Sequence, residues 1–400
     1  MKDTDNTYNT INTDNDKIIT KGGRVLASGG YGCVFTPALL CQREKKRKTK
    51  RVSKLMTKKN AIKEYDKIKF IKEKLMNIKD YKKYFLLYSI NLCKVKHLKK
   101  TDLKNYTKKC RALKKDKITE QNINQNLDRM LSLNMPNGGL PVDEYFYKNV
   151  SIEKMYKLHI NLTELLKKGI IPMNNRNIYH SDIKDSNVLV DNKIKTRLID
   201  WGISTEYVPF KNNPFPNSWK NRPFQFNTPF TIILFTEHFI KKYTLFLHDK
   251  NLNRDSIKNF VKNYIVFWMK ERGEGHYKFI NDSLKKLFGP SFDTMNCIIN
   301  YITEVLHNFI ATDSVIENLK KYLDRVFIKI VDIWGFISIY FVFILLFYKN
   351  FSKLTFKEIE IFKKIKFIMS EYLYKPRIEP INTNALFFHL KDLERIFQIK

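Results

Sequence analysis

Two short segments near the middle of the chain carry side chains that suit phosphate chemistry. The first spans residues 179–190 and contains Asp182, Lys184 and Asn187, and Asp200 follows thirteen positions after Asn187. Transfer of a phosphoryl group needs a base for the acceptor hydroxyl and oxygen or amide ligands for magnesium. Two carboxylates, a lysine and an asparagine in this order therefore predict a group of residues that converges on a metal-bound nucleotide.

A glycine-rich turn and a lysine-bearing strand precede these segments. Residues 26–35 have the pattern strand, glycine turn, strand. Such a turn lets backbone N–H groups approach a phosphate without interference from side chains. The next predicted strand carries Val52 and Lys54 on one face. A hairpin without a ligand and a solvated lysine are the alternatives, and Lys50 or Lys58 could replace Lys54.

The composition describes a folded, strongly basic chain. Its 400 residues are 43% hydrophobic and 14% aromatic, which favours a globular chain with a sizeable core over a disordered one. The formal net charge of +33 makes nucleic acid or an acidic membrane a candidate partner. Low counts of glycine (13) and proline (12) fit AT-rich coding instead, in which lysine accumulates on tolerant surfaces. We favour this second explanation, so nucleic-acid binding stays possible but is not preferred.

The cysteines and the first residues bear on the compartment. Five cysteines without paired spacing predict free thiols in a reducing compartment. Cys93, His97 and Cys110 could form part of a zinc site, although three ligands at loose spacing give weak support. Residues 1–20 are polar and have no apolar stretch, which predicts a disordered tail and no secretory signal.

One apolar segment has nearly the length of a membrane span. The sixteen residues from Ile333 to Tyr348 carry no charge. As a helix they would rise about 24 Å, whereas a bilayer core needs about 30 Å. We therefore expect a buried core helix and no membrane span.

Strand patterns dominate the first third of the chain, and helical patterns dominate the rest. We expect strands over 84–90 and 131–135, and a helix that Asn60 caps. Residues 94–126 are lysine-rich and predict an inserted loop or an exposed helix. The basic run 45–51 suggests a solvated hairpin, with a localisation signal or nucleic-acid patch as the alternative.

The two central segments together resemble the catalytic and metal-binding loops of protein kinases, which are written H-R-D-L-x-x-x-N and D-F-G. Here they read H-S-D-I-K-D-S-N and D-W-G. The glycine turn resembles the kinase form G-x-G-x-x-G-x-V, with Ala27 in place of the first glycine. These motifs are most similar to those of the divergent serine/threonine kinases of large DNA viruses, and the resemblance covers residues 23–348.

The resemblance implies a bilobal fold that binds Mg-ATP between its lobes and transfers the γ-phosphate to a serine or threonine of a protein. It implies that Asp182 is the catalytic base and that Lys184 contacts the transferring phosphate. Asn187 and Asp200 would bind Mg²⁺. If the chain is viral, the host cytoplasm or the virion is the expected location.

The nucleotide-binding residues also follow from the resemblance. Lys54 would bind the α- and β-phosphates and would be held by Glu64, with Glu73 as the alternative partner. The other implied nucleotide contacts are Ala27, Ser28, Gly29, Gly30, Tyr31, Gly32, Val34 and Val52.

The domain organisation that we expect is α+β. A small β-rich lobe would cover residues 21–135, including the insertion over 94–126. A large helical lobe would cover 136–400, and the long spacing between its motifs indicates an insertion over about 231–325.

Some positions depart from the kinase pattern. Ser181 replaces the arginine that often pairs with a phosphate on the activation loop, so we expect activity that is independent of such phosphorylation. Trp201 replaces the usual phenylalanine, and residues 221–230 stand where the family has A-P-E. A pseudokinase scaffold and a kinase-like enzyme for small molecules therefore remain alternatives.

Overall fold

The computed structural model describes residues 23–147, 150–211, 214–248, 253–309, 314–349 and 351–399. The predicted polar tail lies outside the described residues. The described part has a β-rich N-terminal sheet and a mostly helical C-terminal part, which confirms the α+β class. It divides into two compact units. The first contains the residues up to Tyr65 and Ser89–Asn137, and the second contains Asp66–Tyr88 and the chain from Gly138 onward.

The strands follow one another along the chain. They are β1 (Arg24–Ser28), β2 (Gly32–Thr36), β3 (Arg51–Thr57), β4 (Asn91–Cys93), β5 (Met130–Pro136), β6 (Leu140–Pro141), β7 (Ile178–Tyr179), β8 (Val188–Val190), β9 (Thr196–Leu198) and β10 (Thr205–Glu206).

The helices are α1 (Lys58–Leu75), α2 (Tyr81–Tyr84), α3 (Tyr106–Lys109), α4 (Arg111–Lys115), α5 (Val142–Phe146), α6 (Ile152–Leu165), α7 (Ile171–Asn174), α8 (Glu237–Leu247), α9 (Arg254–Arg272), α10 (Glu274–Phe288), α11 (Thr294–Phe309), α12 (Val315–Tyr322), α13 (Ile328–Ser338), α14 (Phe341–Lys349), α15 (Phe356–Met369) and α16 (Thr383–Gln398). Short 3₁₀ segments cover Ile123–Arg129, Asp185–Asn187, Phe230–Phe235 and Phe351–Lys353, and π-helical turns cover Leu166–Ile170, Leu323–Phe327 and Ser370–Tyr374.

The first unit is built on an antiparallel sheet with the strand order β1-β2-β3-β5-β4. β3 lies in the middle and is buried on both faces. Buried polar groups need hydrogen-bond partners, and Ser53 accepts a bond from the backbone N–H of Leu39 at 2.7 Å. Lys54 lies opposite Val34 on one side and Leu133 on the other. The strand therefore places a lysine inside the unit, next to the glycine turn.

The insertion over 94–126, predicted as an inserted loop or an exposed helix, contains short helices whose apolar side is packed against the sheet. Tyr106, Leu113 and Ile123 are buried in one cluster with residues of the sheet, such as Val25 and Phe35. The abundant lysines lie on the outer side of short helices. In the sequence, their number obscures the pattern of apolar positions that face the sheet.

Two disulfides lie in the first unit, and one of them joins this insertion to the sheet, so the prediction of free thiols was wrong for four of the five cysteines. They link Cys33 to Cys110 and Cys41 to Cys93, across 77 and 52 positions of sequence. Pairing at such separations leaves no local spacing signal, which is why the sequence did not show it. Cys297 is free. The zinc alternative also fails, because no group of three potential ligands occurs in the described residues.

Two further expectations for the N-terminal third were wrong. α1 begins at Lys58, so Asn60 lies inside its first turn and does not cap it. Residues 84–90 form no strand. Phe85 makes a single bridge to Leu198, and the neighbouring N–H of Leu86 donates to the Leu198 carbonyl at 3.1 Å. The apolar run is buried as a packed connection, and periodicity alone could not separate that from a strand.

The second unit has its core around α13 and α14. The predicted core segment 333–348 falls on these helices and is largely buried. By length and hydropathy, the helical stretch Val315–Lys349 could cross a membrane, and 89% of its most apolar window is buried inside the protein. His159 of α6 links this core to α16, since its ring nitrogens lie 2.8 Å from the Tyr340 hydroxyl and 3.0 Å from the Leu390 carbonyl.

Candidate active site

The residues of the first motif lie on a loop between short strands of the second unit. The loop leaves β7 at Tyr179, passes Asp182 and Lys184, and reaches Asn187 at the end of a single 3₁₀ turn. β8 follows at once and pairs with β9. The N–H of Ile199 donates to the carbonyl of Asn187 at 3.0 Å. Asp200, the next residue after Ile199, therefore lies close to Asn187 at the end of this loop.

A buried carboxylate on α13 fixes the start of the loop. Asp332 accepts hydrogen bonds from the N–H groups of His180 and Ser181, both at 2.8 Å, and from the side chain of Asn174 at 2.8 Å. Ser181 has a φ of 62°, an uncommon value for a residue with a side chain. Burial raises the pKa of Asp332, while His180 and the three donors act in the opposite direction. The helix therefore holds the loop backbone in a defined and unusual conformation.

The loop and α13 approach each other closely at a glycine. A Cβ atom on Gly335 would lie 2.5 Å from the carbonyl oxygen of Ile183. Only glycine fits this contact without a shift of the backbone.

His180 is buried beneath the loop and has a structural environment. Its Nδ1 accepts from the N–H of Asp182 at 3.3 Å, and its Nε2 lies 2.9 Å from the carbonyl of Ile199. These partners require a neutral ring with the proton on Nε2, and burial lowers the pKa of His180. The ring also makes an edge contact with Trp201. Through these contacts His180 supports the loop from beneath.

Asp182 lies at the centre of the most highly connected polar cluster of the site. Its Oδ2 accepts from Lys184 at 2.9 Å and from the Asn187 amide at 3.0 Å. Its Oδ1 accepts from Asn227 at 2.9 Å and from Arg222 at 3.3 Å. An ionised carboxylate offers about four lone-pair positions, so these four donors saturate it.

The charge of Asp182 is stabilised despite burial. Burial alone would raise the pKa of Asp182, but the cations Lys184 and Arg222 and the hydrogen bonds from Lys184 and Asn227 outweigh it and hold this pKa below its ordinary value. Asp182 is therefore an ionised base at neutral pH.

Arg222 and Asn227 come from a loop that packs on the helices of this unit. Arg222 is almost completely buried, and its carbonyl accepts from the Trp268 indole at 3.1 Å. The carbonyl of Phe226 accepts from the Trp334 indole at 3.1 Å. The sequence singled out 221–230 as a departure from the kinase pattern but assigned neither residue to the site. An arginine in a proline- and phenylalanine-rich segment was the available signal.

Asn187 and Asp200 offer the chemistry that Mg²⁺ requires. The Asn187 amide nitrogen donates to both the carbonyl and the carboxylate of Asp182, at 2.8 Å and 3.0 Å. These bonds direct the amide oxygen of Asn187 away from Asp182. Asp200 adds a carboxylate and has a φ of 64°. Mg²⁺ prefers such oxygen ligands, so the donor set fits this ion.

Lys54 and Glu64 form a buried ion pair in the first unit. The Lys54 ammonium lies 2.7 Å and 2.8 Å from the two carboxylate oxygens of Glu64. Both side chains are about 10% exposed. The partner favoured by the sequence is thus the observed one, and the short spacing of ten residues is spanned because α1 follows β3 directly.

The glycine turn lies beside this pair. A Cβ on Gly29 would lie 3.6 Å from Cε of Lys54, and one on Gly32 would lie 2.6 Å from the carbonyl oxygen of Leu55. Tyr31 at the tip is 60% exposed. Ser28 accepts from the N–H groups of Arg111 and Ala112 and so attaches the turn to α4. The predicted residues Ala27, Gly30 and Val34 lie in β1, in the turn itself and in β2. Val52 lies on β3 but away from the turn, because the β3 residue opposite Gly32 is Met56.

The structure therefore brings the predicted residues together in two sets. Lys54, Glu64 and the glycine turn belong to the first unit, and Asp182, Lys184, Asn187 and Asp200 belong to the second. No protein-family model matches the chain, and no curated protein matches it.

Proposed function

We propose that this protein is a bilobal serine/threonine protein kinase that transfers the γ-phosphate of ATP to hydroxyl groups of proteins. The observation that carries the proposal is the environment of Asp182. A carboxylate that is only 13% exposed is kept ionised and lies within hydrogen-bond distance of a lysine and an asparagine on the same loop. Phosphoryl transfer to a hydroxyl needs this combination of base, cation and metal ligand.

Each residue has one role in the proposed reaction. The acceptor oxygen forms a bond to the γ-phosphorus, the bond from that phosphorus to the β-phosphate oxygen breaks, and Asp182 receives the hydroxyl proton. Lys184 neutralises charge on the transferring phosphate. Lys54, held by Glu64, binds the other phosphates together with the glycine turn. Mg²⁺, when bound by Asn187 and Asp200, neutralises the charge that develops on the phosphate oxygens.

Saturation of Asp182 implies an exchange of partners. A substrate hydroxyl can reach the carboxylate only if one of the four donors gives up its bond. Lys184, which bonds to Oδ2, is the donor that the proposal assigns to the transferring phosphate, whereas Asn187 can bind the metal through its oxygen and keep its amide bond to Oδ2. Oδ2 is thus the atom that would accept the proton, while Arg222 and Asn227 retain Oδ1.

Arg222 supports the expectation that activity does not depend on phosphorylation of the loop. Ser181 offers no cation for a phosphate. The loop that carries Arg222 is already joined to Asp182 by this arginine and by Asn227. Phosphatase treatment of the protein should therefore leave its activity unchanged, and loss of activity would contradict this part of the proposal.

The same saturation also supports a second candidate, a pseudokinase that binds partners without transfer. In that case, the donors on Asp182 would stay in place after nucleotide binds. Ala27 in the glycine turn and Ser181 fit this alternative as well.

Transfer of label separates the two candidates. The purified protein is incubated with Mg-ATP labelled in the γ-phosphate, together with casein or histone, and the labelled amino acids are identified. The kinase proposal predicts label on serine or threonine. Nucleotide binding without label on any acceptor would contradict it and favour the scaffold.

A further inference from the structure

A groove on the first unit is lined by basic side chains from two distant parts of the sequence. Its volume is about 770 Å³, within the range of about 300–1,000 Å³ that is usual for ligand sites. The charged or titratable residues that line it are Lys45, Arg47, Lys96, His97, Lys99 and Asp128. We call it the basic groove. The predicted basic run over 45–51 thus meets a second basic segment, which the sequence did not connect with it.

The walls of the basic groove are held together by bonds of several kinds. The N–H of Gln42 donates to the Lys94 carbonyl at 2.9 Å, and the N–H of Lys96 donates to the Leu40 carbonyl at 2.8 Å. The disulfide between Cys41 and Cys93 joins the same two segments. This wall is therefore formed before any ligand binds.

The opposite wall is fixed to the same segment. Asn124, on the 3₁₀ segment Ile123–Arg129, bonds to both the N–H and the carbonyl of Leu98, at 2.8 Å and 3.0 Å. A preformed site loses less entropy when it binds a ligand.

The basic groove has an excess of positive charge. Arg47 is paired with the buried Asp102 at 2.6 Å. Asp102 also accepts from the N–H groups of Gly23 and Lys99, so its carboxylate is fully engaged. Within residues 23–147 and the other described ranges, no carboxylate pairs with the ammonium of Lys45, Lys96 or Lys99. Among the described residues that line the groove, Asp128 is the one acid. A ligand with negative charge would complement the positively charged lining of the basic groove.

The floor of the basic groove is apolar. Leu40 and Leu127 are partly exposed there, and Val95 lies buried beneath them. None of the described residues that line it is aromatic, whereas proteins that bind single-stranded nucleic acid usually stack bases on aromatic rings. An aliphatic side chain would fill this floor better than a base would.

We propose that the basic groove is a docking site for an acidic peptide segment of a partner protein. Aspartate or glutamate side chains of that segment would contact Lys45, Lys96 and Lys99. An aliphatic side chain of the segment would rest on Leu40 and Leu127. The site lies within the first unit, and its binding does not depend on whether the chain transfers phosphate.

Fluorescence anisotropy of labelled peptides with the full-length protein tests this proposal. The probe alternates Glu with Leu. One comparison peptide has Gln for Glu, and another has Ser for Leu. We expect the acidic, Leu-containing probe to bind and both comparison peptides to bind at least about tenfold more weakly. Equal binding of the Gln peptide would overturn the proposal.

Charge variants of the protein localise the binding. The triple variant Lys45→Glu/Lys96→Glu/Lys99→Glu should bind the acidic probe at least about tenfold more weakly than the parent does. The matched control Lys241→Glu/Lys242→Glu/Lys262→Glu changes the net charge equally at exposed positions of the second unit and should bind almost as well as the parent. Melting curves of both variants establish that they fold.

Two further results would overturn the assignment. The first is an equal loss of binding in both triple variants, which would mean that only the overall charge of the chain matters. The second is tighter binding of a single-stranded oligonucleotide that the groove variant alone abolishes, which would assign the groove to nucleic acid.

Discussion

At the scale of the residue, the central fact is that the side chain of Asp182 is only 13% exposed and is surrounded by donors. Two of these donors, Lys184 and Asn187, follow from the motif, and two, Arg222 and Asn227, do not. The motif residues lie within five positions of Asp182, so local sequence is enough to find them. The other two are 40 and 45 positions away, and only the packing of their loop brings them to the carboxylate.

Replacement of Arg222 should change the pH dependence of the reaction. Arg222 and Lys184 hold the pKa of Asp182 below its ordinary value against the effect of burial. In Arg222→Gln one of the cations is gone, so the pKa of Asp182 rises and the low-pH limb of the kcat/KM profile moves to higher pH. Arg222→Lys keeps the charge and should keep most of the parent profile. If the low-pH limb of the kcat/KM profile were the same in Arg222→Gln and Arg222→Lys, the charge of Arg222 would have no effect on the pKa of Asp182.

The buried pair of Lys54 and Glu64 should show strong coupling. Loss of one partner leaves the other charge buried and uncompensated. We expect Lys54→Met and Glu64→Gln each to lower the free energy of unfolding by about 3 kcal/mol or more. The double variant should cost clearly less than the sum of the two.

An exposed ion pair supplies the control for that cycle. Lys157 and Glu153 lie 2.5 Å apart on the surface of α6, and the same substitutions there should barely change stability. Denaturant titrations of all the variants measure the effect. If the loss of unfolding free energy in the double variant equalled the sum of the losses in Lys54→Met and Glu64→Gln, the two side chains would not form a coupled ion pair.

At the scale of the element, α13 positions the candidate site. Asp332 on this helix accepts hydrogen bonds from two N–H groups of the loop that carries Asp182, and Gly335 allows the backbone of that loop to lie against the helix. The same core is tied to α6 and α16 through His159. The predicted strand that carries Val52 and Lys54 and the predicted strand over 131–135 are observed as β3 and β5.

His159 should make the helical unit sensitive to acid. Burial lowers the pKa of His159 to about 4, whereas an exposed histidine has a pKa of about 6.5. The unfolded chain therefore binds a proton between these values and the folded chain does not, so stability falls as the pH drops from about 6.5 to about 4. The loss should reach about 3 kcal/mol.

Comparison with His159→Gln isolates this effect. Stability is measured by denaturant titration between pH 7 and pH 4. The variant should lose about 3 kcal/mol less than the parent over this range. A control variant, His307→Gln at an exposed position of α11, should keep the pH dependence of the parent. If the stability of His159→Gln changed with pH as the stability of the parent does, His159 would not be the group that makes the folded protein sensitive to acid.

The two disulfides predict a simple thiol count. Protein purified without reductant and unfolded in denaturant should react with a thiol reagent at one cysteine, Cys297. After reduction, all five should react. Mass spectrometry of the alkylated protein identifies the sites. Five reactive thiols before reduction would mean that the pairs Cys33–Cys110 and Cys41–Cys93 are not formed.

At the scale of the whole molecule, the sequence was a good guide to class and a poor guide to long-range contacts. The α+β class and the order of a β-rich part and a helical part are confirmed. The packed insertion, the disulfides and the basic groove were not predictable, because each depends on residues that are far apart in sequence. Lysine abundance also masked the apolar positions of the insertion, since composition is an average over both faces of an element.

The contribution of Asp182 to transfer is the central claim, and one comparison tests it. Parent protein and Asp182→Asn are mixed with γ-labelled Mg-ATP and an acceptor protein, and nucleotide binding is measured in parallel. The account predicts label on serine or threonine with the parent, a loss of about 10²-fold or more in the variant, and similar nucleotide binding by both. Transfer at the parent rate by a folded Asp182→Asn variant would contradict it.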